Sequence, residues 1–146
     1  MLAEADKNNV VAKEKPLRAS KGRIKGNRIA INNKMTEIEK KCIMAEELGH
    51  YYTGIGDIID QSDIVNRKQE LSGRIHAYNR LIGLTGIVNS YKHGCRSLSD
   101  AAEYLDVTEE FLTEAIQYYR SKYGHFATLD NYIIYFEPAL GVFELV

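Results

Sequence analysis

Helical register between residues 36 and 53 constrains this chain more than any other feature. Thr36-Glu37-Ile38-Glu39 has the form of a capping box, in which a threonine hydroxyl accepts from a backbone N–H three residues on. The spacing predicts a helix from there to residue 52 or 53, stopped by Gly54. Inside it stands Glu46-Glu47-Leu48-Gly49-His50. Positions four apart lie on one helical face, so Glu46 and His50 project together with Glu47 beside them.

The chain has 146 residues, enough for a compact core, and 45% of them are hydrophobic. Nineteen Lys plus Arg against twenty Asp plus Glu leave a formal charge of −1. That balance gives no reason to expect nucleic acid or an acidic membrane as the main partner. The first nine residues hold no apolar run of secretory type, and no stretch approaches the ~20 apolar residues of a membrane span. Cys42 and Cys95 form no CxxC pair and read as reduced thiols of a cytoplasmic protein.

Residues 2–7 read as a short helix and residues 10–14 as a strand stopped by Pro16. Residues 23–25 and 28–31 form a hairpin around Gly26-Asn27, followed by a turn at Asn32-Asn33. The basic stretch 13–28 is the only cationic patch and reads as a solvated hairpin surface. Residues 54–62 form a loop, and a second helix is expected over 63–81, with Leu71, Ile75, Tyr78 and Leu81 at helical spacing. Further helices are expected over 87–92, 99–105 and 108–122, then a strand over 131–136 and a hairpin partner over 142–146. The whole is an α+β chain: a small N-terminal β-sheet, an active-site helix pair, and a helical C-terminal half ending in a β-hairpin. Residues 1–82 are expected to form the core domain and 83–146 a helix-turn-helix-like lobe, packed together as one unit.

A carboxylate, a second carboxylate and an imidazole in the order Glu46, Glu47, His50 suit metal-assisted hydrolysis. Ligands at i and i+4 hold the ion, and the glutamate after the first acts as general base. One helical face cannot close a tetrahedral site, so a further ligand must come from elsewhere. Glu70 on the second helix is the candidate, because Gly73 and Ala77 on the same face allow two helices to approach closely.

The stretch 39–77, with Glu46-Glu47-Leu48-Gly49-His50-Tyr51-Tyr52-Thr53 and Asn66-Arg67-Lys68-Gln69-Glu70-Leu71, resembles the ImmA/IrrE family of metallopeptidases. The likeness extends more loosely to residues 105–112 and 132–136. It implies a zincin-like fold, Glu47 as catalytic base, and Glu46, His50 and Glu70 as metal ligands. It further implies Zn²⁺ as cofactor and a helix-turn-helix repressor of a phage or integrative element as protein substrate. Glu46 stands where the family usually has histidine. Two carboxylates and one imidazole nearly neutralise Zn²⁺, acidify a water less, and favour harder ions such as Mn²⁺. A zinc site, a site for another ion, and a fold without metal therefore all stay open. The alternative to a protease is a catalytically silent protein of this fold that binds a regulatory partner.

Other candidates have plainer readings. Cys42, one turn before Glu46, reads as a buried small side chain. His93 and Cys95 lie two apart in a loop, His76 points to another side of its helix, and His125 is a loop residue with no evident partner. Asp57, Asp60 and Asp63 are candidates to orient His50. Residues 101–116 resemble a helix-turn-helix, but six acids and no Lys or Arg lie between Arg96 and Arg120. That charge repels phosphate, so a packing or protein-docking role is expected and direct nucleic-acid binding is not.

Overall fold

The computed structural model describes residues 10–17, 21–53 and 63–145, with the side chains of residues 63–66 and 69 outside that description. The expected helix over 2–7 and loop over 54–62 lie outside the described residues. The fold is α+β and divides into two compact units, Met1–Ala77 and Tyr78–Val146.

In the first unit, β1 (Val11–Lys15), β2 (Gly22–Lys25) and β3 (Arg28–Asn32) form a sheet of order β1-β3-β2. β2 and β3 make the hairpin expected around Gly26-Asn27, and Gly26 takes the positive φ of 59° that this turn needs. β1 pairs with β3 in parallel, placing Ala12 beside Ile29 and Glu14 beside Ile31. Alternation then sorts the strands into two faces. Ile29 and Ile31 are buried with Val10, Met44 and Leu48, and Ala12, Ile24, Ile43 and Tyr51 pack against that core.

Met44, Leu48 and Tyr51 recur at helical spacing along α1 (Glu37–Tyr52) and form its sheet-facing stripe. Thr36 caps α1 as expected, its hydroxyl accepting from the Glu39 N–H at 3.1 Å. At the other end, the Thr53 hydroxyl donates to the Gly49 carbonyl at 2.8 Å. Lys40 pairs with Glu14 of β1 and with Glu37, which ties the helix to the sheet. α2 (Asp63–Leu81) has the expected span, and the division between the units falls inside it.

The second unit holds α3 (Gly83–Lys92), α4 (Leu98–Leu105), α5 (Glu109–Tyr123) and an antiparallel sheet of β4 (Phe126–Leu129), β5 (Tyr132–Tyr135) and β6 (Gly141–Glu144). Two expectations change here. The helix expected from residue 87 begins at Gly83, because the Tyr119 hydroxyl accepts from the Gly83 N–H at 3.1 Å and satisfies a helix start that has no local cap. Residues 126–129, unassigned from sequence, form β4, turned back by Asp130 at φ 52°. His125, expected to lack a partner, lies 3.2 Å from Glu137. Ser97 and Thr108 cap α4 and α5, and Asp106 takes a left-handed conformation at the turn between them. Val107, Phe111, Leu112 and Tyr119 are buried, while Asp100, Glu103, Asp106, Glu109 and Glu110 are exposed. Among the described residues, no helix is long and apolar enough to cross a membrane.

Candidate active site

Two glycines decide how α1 meets α2. A side chain built on Gly49 would overlap the Gly73 carbonyl, so the helices cross backbone to backbone at this pair. A Cβ on Gly73 would in turn fall 2.5 Å from Cε1 of the His50 ring. The imidazole therefore lies flat against the glycine of the neighbouring helix, and His50 is buried.

From that seat the His50 Nε2 reaches Glu70 Oε2 at 3.4 Å. Glu70 is half-exposed, and Arg74 one turn further on lies 4.0 Å from its other oxygen. That i,i+4 Glu-to-Arg spacing was visible in the sequence as a partner for Glu70. The contact with Glu70 is the main reason His50 is held above its ordinary value of 6.5, against the opposing effect of burial. The same contact is the main reason the Glu70 carboxyl sits below its ordinary value. When protonated, His50 can donate from Nε2 to that carboxylate. Its Nδ1 is buried and has no hydrogen-bond partner among the described residues. Of the candidates to orient it, Asp57 and Asp60 lie outside the described residues, as does the side chain of Asp63.

Glu47 borders the sheet. It is half-buried against Gly22 at the start of β2, where a Cβ would fall 3.1 Å from Glu47 Oε1 and 2.5 Å from Ile43 Cγ2. No sequence signal marked this strand glycine as the wall of the site. Burial pushes the Glu47 carboxyl up to about 7; His50 lowers it, and the charges of Glu70 and Glu46 raise it further. A carboxylate balanced near neutrality is what general-base catalysis requires.

Glu46 is half-buried on α1, and its charge acts on both Glu47 and His50. The structure thus brings His50 to Glu70 and gathers all four groups within electrostatic reach. Among the described residues, however, no three His, Cys, Asp or Glu side chains stand close enough together to hold a metal ion. As a donor set, one imidazole nitrogen and two carboxylates fit a divalent cation. A buried imidazole with Nε2 turned to a carboxylate is a fitting half of such a site.

The remaining candidates fall as follows. Cys42 is a buried thiol outside any disulfide. His76 stacks on Tyr52, their rings 5.2 Å apart. In the second unit His93 stacks on Tyr104 at 4.5 Å and, with Cys95, Asp100 and Glu103, lines an open cleft of about 460 Å³.

No curated protein sequence matches the chain. A family model does match, over residues 5–117 of the 146, and that span includes Glu46, Glu47, His50 and Glu70. The family is that of the IrrE N-terminal-like domain, a family of peptidases, and the chain belongs to it.

Proposed function

We propose that the chain is a metal-dependent endopeptidase in which Glu47 is the general base and Glu46, His50 and Glu70 hold a divalent ion, Zn²⁺ in the first instance. The observation that carries this reading is the conjunction of the 3.4 Å His50–Glu70 contact with a Glu47 carboxyl poised at about 7 beside it. The family of the chain supports a peptide bond as the substrate.

A divalent ion bound there would polarise the scissile carbonyl and acidify the attacking water. Glu47 takes a proton from that water as the oxygen attacks the carbonyl carbon. It then delivers the proton to the amide nitrogen as the C–N bond breaks, so the carboxylate is regenerated. His50 would have to be neutral to act as a ligand, and because its contact with Glu70 favours the protonated form, an ion would compete with a proton there. Glu70 and Glu46 supply two negative charges, which weakens acidification of the water relative to a site with two histidines. The substrate best suited to this reading is a helix-turn-helix repressor of a mobile genetic element, as the likeness of residues 39–77 suggests.

The test is cleavage of candidate repressors by protein reconstituted with Zn²⁺ or Mn²⁺, compared with Glu47→Gln. Metal-dependent cleavage that Glu47→Gln abolishes supports the reading; failure to take up metal together with undiminished cleavage by the variant refutes it.

One observation favours a second reading, a non-catalytic protein that binds a regulatory partner: the donors do not converge as a set of three among the described residues. Thermal melting separates the two, since an ion that binds only the native state must raise stability. A melting temperature that does not move at saturating Zn²⁺ or Mn²⁺ favours the silent protein.

A further inference from the structure

Strand alternation segregates charge in the N-terminal sheet. Ala12, Glu14, Gly22, Ile24, Ile29 and Ile31 turn toward α1, as their packing and the Glu14–Lys40 pair establish. Their neighbours in each strand must face the other way. That outer face carries Lys13 and Lys15 of β1, Arg23 and Lys25 of β2, and Arg28 of β3, all exposed. Its other members are Val11, Ala30 and Asn32, so it holds five cations and no acid. None of the five forms an ion pair with another described residue. Lys25 and Arg28 stand directly opposite each other in the ladder, an arrangement that weakens a strand pair. The net charge of −1 conceals this concentration, because acids dominate elsewhere.

We propose that this face binds the phosphate backbone of a nucleic-acid duplex without reading its sequence. With strands about 4.8 Å apart and alternate side chains about 6.7 Å apart, the cations span a flat patch roughly 10 Å wide. Among the described residues, three absences from the face favour the duplex. It has no aromatic ring on which unpaired bases would stack. It has no apolar anchor larger than Val11, where a protein interface centres on buried aromatic or large aliphatic side chains. It has no amphipathic helix to enter a lipid surface, which leaves an anionic membrane only the weaker attraction of its headgroups. This surface was expected from sequence to be merely solvated; alternation puts five of the seven basic residues of the stretch on one side of the sheet.

The experiment is fluorescence anisotropy of the full chain with a labelled random-sequence DNA duplex, across a salt series. Five phosphate contacts give a plot of log K against log salt with a slope of about −4.5, so affinity falls several hundredfold, roughly, between 50 and 200 mM salt. The triple variant Lys13→Gln/Arg23→Gln/Lys25→Gln should reduce that slope by nearly three. Each of Arg23→Gln and Lys25→Gln alone should reduce it by about one. Lys122→Gln, on α5, should leave it unchanged. Three outcomes overturn the proposal: no binding at about 50 mM salt, a slope indifferent to the face variants, or binding to a single strand, polyglutamate or phosphatidylserine vesicles as tight as to the duplex.

Discussion

Replacing Gly73 by alanine should damage this protein out of proportion to the one methyl group added. The new Cβ would lie 2.5 Å from His50 Cε1, whereas ordinary contact begins near 3.4 Å. Something must therefore retreat by at least about 0.9 Å, since Nδ1 lies closer still, and a close-packed interior offers little slack for it. The ring belongs to the residue next to Gly49, whose backbone itself meets Gly73, so the helices cannot part to relieve the clash without opening that contact. Overpacking of this kind costs about 1–3 kcal/mol, or a fall in melting temperature of roughly 3–10 °C for a chain of this size. The displacement also draws the imidazole from Glu70, so the His50 titration should fall back toward 6.5. Thermal melts read the first effect and the pH dependence of the His50 ring resonances reads the second, both in chelator-treated protein. Ser72→Ala, at an exposed neighbouring position, is the control and should stay within about 0.5 kcal/mol of wild type. If Gly73→Ala melts with the control and leaves His50 unchanged, the backbone-to-backbone crossing described above is wrong.

Three further outcomes follow from particular contacts. In metal-free protein the Glu47 carboxyl is raised in the fold from 4.5 to about 7. Stability that depends on its neutral form is thus fully present below 4.5 and is lost as pH rises through 7; Glu47→Gln should gain on wild type over that window, as urea midpoints would record. Tyr119→Phe removes the hydroxyl that donates to Asn79 Oδ1 at 3.0 Å and accepts from the Gly83 N–H, and should cost about 1–3 kcal/mol in urea unfolding. Burial pushes that tyrosine up to about 12, so wild type should also lose stability between pH 10 and 12 in a way the phenylalanine variant does not. Thr36→Ala leaves the Glu39 N–H without its acceptor and should cost about 0.5–2 kcal/mol, again by urea unfolding, without altering His50.

The parts of this structure that were legible in the sequence are those governed by local rules. Thr36 announced α1 because a cap and its acceptor are three residues apart, and Gly26-Asn27 announced the hairpin because the turn demands positive φ. Glu46, Glu47 and His50 share a helix by periodicity alone. What stayed hidden depends on residues far apart in the chain. The start of α3 rests on a hydroxyl from 36 residues away, so no cap-seeking rule finds it. β4 escaped because Phe126-Ala127-Thr128-Leu129 is short and follows directly on a helix, although Asp130-Asn131 before a second apolar run is a hairpin signal. The placing of Glu47 against Gly22 depends on strand register, and the basic face depends on which side of the sheet α1 covers. Neither can be read until the core is known.

The aromatic residues of the second unit have a consequence for observing the protein. Tyr78, Tyr118, Tyr119, Tyr123 and Phe136 succeed one another with ring centroids 5.4–6.3 Å apart along that order, and Phe111 joins at Tyr78.

 The step from Tyr119 to Tyr123, one turn along α5, is the longest at 6.3 Å. With ten tyrosines and no tryptophan, the near-ultraviolet spectrum of the chain is written almost wholly by tyrosine. Rings this close exchange excitation and acquire strong circular dichroism from their mutual orientation, so the near-ultraviolet signal reports chiefly on the packing of residues 78–146. The site region contributes the separate pair Tyr51 and Tyr52, with centroids 5.4 Å apart. A single tryptophan placed in the first unit would therefore give each unit its own optical voice, and the melting of one could be followed against the other in the same cuvette.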